Sequence, residues 1–242
     1  MNFDTLVAMR NPPLIDDSLL QGMYAINQLR WRTYLVVKVA DSCSLLICDV
    51  RADMQNNDEL YVSVDIETSG PIPGEYSMLS IGACLVSDPK KSLYLTLQPD
   101  GVKCDPEALA VTGLDLDTLA REGLAPLNAM AELDKWLTSV CPAGKKAIFI
   151  GLNTPFDWSF VNYYFHKYLG KNPFGFTAID IKAYFMGATG SRWRETKSSR
   201  MSAILKPCSE PSHNALDDAR FQAELFALML ANWDNAKKNH GN

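Results

Sequence analysis

The chain has 242 residues, of which 47% are hydrophobic and 21% are charged, and its net charge is −5. This composition is typical of a globular protein with a sizeable core, and it excludes a globally basic surface that would attract nucleic acid or anionic lipid. The six cysteines form no CxxC pair or Cys/His cluster, so we expect reduced thiols rather than a zinc site or disulfide framework. The start, MNFDTLVAMR, lacks the basic-then-apolar order of a signal peptide, and we expect a cytoplasmic protein without a membrane partner.

Residues 1–57 differ from the rest of the chain because they combine NPP, scattered charges and the polar RADMQNNDE. We expect them to form an N-terminal extension or linker ahead of a domain spanning residues 58–242. That domain opens with three predicted strands, LYVSVDI, MLSIGACLV and KSLYLTLQP. Two predicted helices follow, DPEALAVTG and APLNAMAELDKWLTSV. The second helix carries one apolar stripe, formed by Leu127, Met130, Leu133 and Leu137.

The second half of the chain alternates strands with helices. KKAIFIGLN predicts a buried strand, PFDWSFVNYYFHKYLG a helix between Pro155 and Gly170, and AIDIKAYFMG a short strand that runs into a helix. The last helix repeats apolar residues in steps of three and four, at Leu216, Ala219, Ala223, Phe226, Leu230 and Trp233. Strands followed by helix–strand–helix units predict an α/β fold whose sheet carries helices on its faces.

The first predicted strand ends in two acids, Asp65 and Glu67, which strand alternation places on the same side. Two carboxylates so close repel each other, and one of them would ordinarily hold its proton near neutral pH. A divalent cation removes that penalty, and ligands that are all oxygen suit Mg²⁺ or Mn²⁺. The alternative is that Asp65 caps a turn while Glu67 faces solvent, and the stretch DIET by itself leaves both interpretations open.

Two further segments place acids at predicted helix starts. In GLNTPFDWSF, Asp157 lies in the first turn of a helix, where an acid can also simply stabilise the helix N-terminus. In HNALDDARF, His213 precedes a helix start, Asn214 and Asp217 resemble a capping pair, and Asp218 follows within the first turns. From these residues alone, a capping or surface role for His213 stays open.

The stretches DIET, NTPFD and HNALDDA, in this order and with VTGL between the first two, resemble the motifs of the DEDDh family. These are the DnaQ-like 3′–5′ exonucleases with the ribonuclease H-like fold, and the resemblance covers about residues 60–235. It implies a mixed central sheet with helices on both faces. It also implies a general base, His213, and four ligands for two Mg²⁺ or Mn²⁺ ions, namely Asp65, Glu67, Asp157 and Asp218. The choice of Asp218 over Asp217 rests on the family's five-residue step from His to Asp.

The activity implied by the resemblance is hydrolysis of single-stranded DNA or RNA from the 3′ end to nucleoside monophosphates. The resemblance also implies two candidate protein partners, a polymerase or a second copy of the chain. Two metal ions about 4 Å apart can activate the attacking water and stabilise the leaving oxygen. Imidazole suits the transfer of a proton from that water. The chain departs from the family at Leu152, where a His is common, and we expect altered contacts to the substrate end there.

Candidate substrate contacts are of two kinds. Thr68, Asn153 and Phe160 lie in or beside the motifs, whereas Arg192 and Trp193 lie in the basic segment GSRWRETKSSRMSAILKP, residues 190–207. Cations with an interleaved aromatic suit a single strand, although an exposed loop and helix with solvated charges have the same sequence pattern. Two other functions compete with the exonuclease: a catalytically weak interaction module of the same fold, and a haloacid-dehalogenase-type phosphatase that uses Asp65.

Overall fold

A five-stranded mixed sheet forms the centre of the computed structural model, which describes residues 58–238, with side chains as far as Asn232. The strand order is β3-β2-β1-β4-β5. β1 pairs antiparallel with β2, as does β2 with β3, while β4 is parallel to both β1 and β5. The predicted meander and the mixed sheet are therefore confirmed. The strands are β1 Glu59–Thr68, β2 Met78–Leu85, β3 Ser92–Thr96, β4 Lys146–Gly151 and β5 Ala178–Asp180.

Local signals account for most of the helix boundaries. α3 and α4 each have a proline in their first turn, and α4 ends at Gly170, whose left-handed φ of 68° suits a residue without a Cβ. α2 was not predicted; it is a short helix whose first turn is capped by Asp115, which accepts from the N–H of Thr118 at 2.8 Å. The helices are α1 Pro106–Thr112, α2 Leu116–Glu122, α3 Pro126–Val140, α4 Pro155–Leu169, α5 Ile181–Thr189, α6 Ser198–Leu205 and α7 Ala215–Lys238.

Helices cover both faces of the sheet, as expected. On one face, Val62, Val64 and Ile66 of β1 share a buried cluster with residues of α3 and α4. On the other face, α5, α6 and α7 share a second buried cluster with Ile150 of β4. The predicted stripe of α3 needs one correction. Leu127 is half exposed because it lies in the first turn, ahead of the buried residues that face the sheet.

The buried face of α7 agrees with the predicted spacing. Ala219, Ala223 and Phe226 are buried, and Leu216 and Leu230 are half-buried, whereas the side chain of Trp233 lies outside the described ones. Such a stripe lets one helix cover the sheet over several turns.

The expectations for the chain ends and cysteines have mixed outcomes. The expected N-terminal extension, residues 1–57, lies outside the described residues. Cys84, Cys104 and Cys141 are free thiols as expected, whereas Cys208 is disulfide-bonded. Among residues 58–238, no helix is long and apolar enough to cross a membrane. The described residues up to Ala231 belong to a single compact unit.

Candidate active site

The C-terminal end of β1 presents Asp65 and Glu67 on the sheet face opposite the cluster that buries Val64 and Ile66. Pairing with β2 sets Asp65 opposite Gly82, and the ladder is interrupted immediately after Glu67. The predicted alternation is therefore correct, and the two acids lie where the regular pairing of the central strand β1 with β2 ends.

Gly82 of β2 makes room for the start of α7. A Cβ built on Gly82 would lie only 2.2 Å from the carbonyl oxygen of Ala215, the first residue of that helix. The backbone of α7 thus packs directly on β2 at Gly82. Because Gly82 pairs with Asp65 of β1, the start of α7 lies beside Asp65. The motifs do not include Gly82, although a glycine inside a strand is a known sign of close backbone approach.

The first turn of α7 is capped as the sequence predicts. The Asn214 side-chain oxygen accepts from the N–H groups of Leu216, at 3.1 Å, and Asp217, at 3.3 Å. The carboxylate of Asp217 is exposed and pairs with Arg220 at 3.3 Å. Asp217 therefore points its charge away from the buried side of the helix, and its neighbour Asp218 is the acid that faces the site.

Asp218 shapes the loop that carries His213. Its two carboxylate oxygens accept from the N–H groups of Ser212, at 2.7 Å, and His213, at 3.0 Å. His213 takes a φ of 59°, a left-handed conformation that is uncommon for a residue with a side chain. One ligand atom each from Glu67, His213 and Asp218 lie within 4.8 Å of one another. The predicted base and two predicted ligands thus meet at one place.

Asp157 reaches the end of β1 from the first turn of α4. It is only 5% exposed, and its Oδ1 accepts from the N–H of Ile66, between the two acids of β1, at 3.2 Å. The turn before α4 contains Asn153 at a φ of 67°. Asp180, another residue missed from the sequence, holds this turn by accepting from the N–H of Thr154 at 2.8 Å.

Burial and mutual repulsion raise the pKa values of these acids. The pKa of Asp65 is well above its usual range, because the group is buried and because Asp157, Asp218 and Glu67 are negative neighbours. Burial, with the charge of Asp218, raises the pKa of Glu67 to about 7. Burial also raises the pKa of Asp157, and its neighbours Glu67 and Asp180 add to that rise.

The four carboxylates at this place, here called the acidic cluster, fit divalent cations; they belong to Asp65, Glu67, Asp157 and Asp218. None of the ion pairs within the described residues includes Asp65, Glu67, Asp157 or Asp218. Carboxylates that are buried, repel one another and have no Lys or Arg partner either keep a proton or bind an external positive charge. Their oxygen atoms are the ligands that Mg²⁺ and Mn²⁺ prefer.

One more polar side chain contacts this cluster. Gln222 of α7 is 3% exposed and donates to Oδ1 of Asp65 at 2.5 Å. The motifs do not include Gln222, although a glutamine one turn after Asp218, on an otherwise apolar helix face, is a usable sequence signal.

The expected substrate contacts beside the motifs differ in accessibility. Asn153 is exposed, next to the turn that leads to Asp157. Thr68 is buried, and its hydroxyl donates to the carbonyl of Gly70 at 2.9 Å, which shapes the turn after β1. Phe160 is fully buried and its ring packs against Phe156. Thr68 and Phe160 are therefore less accessible than Asn153, and substrate contact by these three residues stays a prediction.

The basic segment lies on the surface. Arg192 is exposed, and Trp193 is 54% exposed with Lys182 Nζ above its ring at 4.4 Å from the centroid. Buried Met201 and Leu205 anchor α6, and with it this segment, to the core. No described contact joins Arg192 or Trp193 to the acidic cluster.

Comparisons with known proteins agree with this geometry. No family model matches the chain. The chain is 49% identical over 176 residues to the 3′–5′ DNA exonuclease Cap18 of Escherichia coli, an alignment that covers 73% of this chain and 94% of that protein.

Solved structures share the fold. The nuclease domain of 3′hExo, described as a DEDDh family member bound to rAMP, has a TM-score of 0.61 at 15% identity, covering 71% of this chain and 92% of that one. S. pombe Pop2p, in a form with Mg²⁺ and Mn²⁺ bound, has a TM-score of 0.53 at 16% identity, covering 78% and 89%. Since the alignment with the bacterial exonuclease spans nearly its whole length, and the fold and motif residues agree, the chain belongs to the DEDDh family of 3′–5′ exonucleases.

Proposed function

We propose that this exonuclease removes nucleoside monophosphates from the 3′ end of single-stranded DNA, at the acidic cluster beside β1. The observation that carries the proposal is the convergence of four carboxylates and one imidazole from three distant segments. We propose DNA rather than RNA as the substrate because the relative at 49% identity is named a DNA exonuclease.

Asp65, Glu67, Asp157 and Asp218 would hold two divalent cations, Mg²⁺ or Mn²⁺. When bound, such ions supply the positive charge that activates water and stabilises the leaving oxygen of a phosphodiester. The chain contributes ligands whose buried charges are otherwise unfavourable, so the binding of cations relieves repulsion that the fold has built in. This also explains how a chain with a net charge of −5 can hold a polyanion at its site.

His213 would act as the general base. Its side chain is exposed, while its backbone N–H is held by Asp218, so the imidazole stays beside the cluster and open to water and substrate. A neutral imidazole can take the proton from the attacking water and release it to solvent afterwards. The exposed position favours this exchange because the base must lose its proton before the next turnover.

Two surfaces would bind the rest of the strand. Asn153 is an exposed polar residue of the second motif, in the turn that leads to Asp157. The basic segment would extend the contact, with Arg192 on phosphates and the half-exposed ring of Trp193 stacking on a base. A polymerase or a second copy of the chain stays a predicted partner.

The substrate is tested by digesting 5′-labelled single-stranded DNA, duplex DNA and RNA of one sequence in parallel, each with Mg²⁺, Mn²⁺ or EDTA. We expect the single-stranded DNA to shorten one nucleotide at a time from its 3′ end, RNA to be degraded more slowly, and EDTA to stop both reactions. Faster degradation of RNA would overturn the substrate class, and full activity in EDTA would overturn the use of metal.

The strand path is tested with Trp193→Ala and Arg192→Ala. Losing one stacked base costs about 1–3 kcal/mol, so KM for single-stranded DNA should rise by roughly 5- to 150-fold in Trp193→Ala, with kcat little changed. Phe176→Ala is the matched control, since Phe176 is a 90% exposed aromatic outside the basic segment. Equal KM values for wild type and Trp193→Ala would show that the strand takes another path.

A further inference from the structure

Gln222 uses both ends of its buried side-chain amide. Its Nε2 donates to Oδ1 of Asp65 at 2.5 Å, and its Oε1 accepts from the backbone N–H of Leu152 at 2.9 Å. The orientation of the amide follows from chemistry, because a backbone N–H can only donate and must face the oxygen. The NH₂ group is therefore the end that faces the carboxylate.

This single side chain joins three segments of the site. Gln222 lies one helical turn after Asp218 on α7, Asp65 lies in the C-terminal half of β1, and Leu152 opens the turn that leads to Asp157. A shift of α7 against the sheet would break one or both of these bonds. The amide thus couples the position of the helix that carries Asp218 to the orientation of the Asp65 carboxylate.

The bond to Asp65 has a consequence for cation binding. A neutral donor holds Oδ1 and limits rotation of the carboxylate without adding a charge that would compete with a cation. Within the described residues, no Lys or Arg forms an ion pair with Asp65. Gln222 is therefore suited to orient this acid while leaving its negative charge uncompensated.

We propose that Gln222 is a positioning residue that holds Asp65 ready to bind a divalent cation, an inference that rests on the metal site proposed above. Gln222→Met removes both hydrogen bonds with little change of volume. Partners that orient metal ligands typically contribute about 10–100-fold to metal affinity. We expect that loss for Mn²⁺ binding, together with a higher cation concentration for half-maximal hydrolysis and a largely restored rate at saturation.

The experiment measures Mn²⁺ binding to the full chain by calorimetry, beside the melting temperature in EDTA. The matched control is Tyr168→Phe, which removes a hydroxyl donated to another carboxylate, Asp100, in a different part of the fold. It should leave Mn²⁺ affinity unchanged. Should Gln222→Met lower the melting temperature too far for the measurement, Gln222→Asn serves instead, because its shorter amide cannot span both partners.

Each outcome is decisive. Wild-type Mn²⁺ affinity in a folded Gln222 variant overturns the positioning role, while the proposed metal site stands. Failure of the wild-type protein itself to bind Mn²⁺ overturns the metal site first. In the Asp65→Asn background, Gln222→Met should have no further effect on Mn²⁺ affinity, because the two residues act as one unit. Additive losses would contradict the proposal.

Discussion

Two carboxylate sites have opposite environments: the single carboxylate of Asp100 and the acidic cluster. At one, Asp100 accepts hydrogen bonds from the hydroxyls of Tyr164 and Tyr168 and pairs with Lys167 at 2.8 Å. Burial acts to raise the pKa of Asp100, but the bonds from Lys167 and the two tyrosines outweigh it and hold that pKa below its usual range. At the other, burial and repulsion raise the pKa values of Asp65, Glu67 and Asp157.

Helix α4 contributes to both groups. Its first turn carries Asp157 to the acidic cluster, and its later turns carry the three side chains that satisfy Asp100. Asp100 is thus neutralised by Lys167 and by two hydroxyl donors. No Lys or Arg pairs with the acidic cluster within the described residues, so its charge is available to bind cations. The absence of a cationic partner within the described residues, rather than acidity alone, distinguishes the acidic cluster.

The largest expected effect is at the acidic cluster. Asp65→Asn keeps the shape of the side chain but removes a charge from the cation ligands, so hydrolysis should fall by roughly 10³ or more. Its melting temperature in EDTA should be equal to or above that of wild type, since one repelling charge is gone. Steady-state turnover and thermal melting test both statements. Wild-type turnover in this variant would contradict the assignment of Asp65.

The next effect separates the base from the ligands. His213→Ala should lower turnover by roughly 10² to 10⁴, the usual contribution of a general base, and leave most Mn²⁺ affinity in place. Turnover at saturating Mn²⁺ and calorimetry on the same preparation measure the two quantities. If turnover stays at the wild-type level, another group takes the proton and His213 is a surface residue of the loop.

Asp100→Asn should show the reverse of Asp65→Asn. It takes the charge from a carboxylate that has internal partners, so the free energy of unfolding should fall by about 1–3 kcal/mol. Turnover should stay within about twofold of wild type, because no residue assigned to the chemistry touches Asp100. Urea unfolding and turnover measure the two effects. A large loss of turnover with unchanged stability would show that Asp100 serves the active site.

The raised pKa values of the acidic cluster should also make the stability of the metal-free protein depend on pH. A carboxyl with a raised pKa holds more protons in the folded than in the unfolded chain, from about pH 4 up to its folded pKa. The metal-free protein should therefore lose stability as pH rises through this window, toward the value of about 7 at Glu67.

Mg²⁺ should accordingly raise the melting temperature by more degrees at pH 8 than at pH 5.5, since the ligands are then ionised. Melting curves in Mg²⁺ and in EDTA at both pH values make the measurement, with Asp65→Asn as the control that should reduce the difference. An equal shift at both pH values would contradict the raised pKa values.

The smallest effect concerns the exposed acid beside Asp218. Asp217→Asn removes only a surface pair with Arg220, so it should cost less than about 1 kcal/mol of stability and leave turnover unchanged. Asp218→Asn should abolish turnover in the same assay. Exchanged results for the two variants would show that the five-residue step from His213 selects the wrong acid.

What the sequence alone determined is local in origin. Alternation along β1 placed Asp65 and Glu67 on one side, and Asn214 marked the start of α7, because a strand period and a helix cap each depend on a few adjacent residues. The same holds for the end of α4 at Gly170. The resemblance to the family motifs then assigned these separate segments to one site, and it selected Asp218 over Asp217.

Only the tertiary structure decided which side chains support that pattern. Gln222 is 157 positions from Asp65, and Asp157 meets the N–H of Ile66 from 91 positions away. Burial of Phe160 and the packing of Ala215 on Gly82 likewise depend on how helices sit on the sheet. Local periodicity does not encode such contacts, since the sheet register and helix packing that create them are set by the whole core.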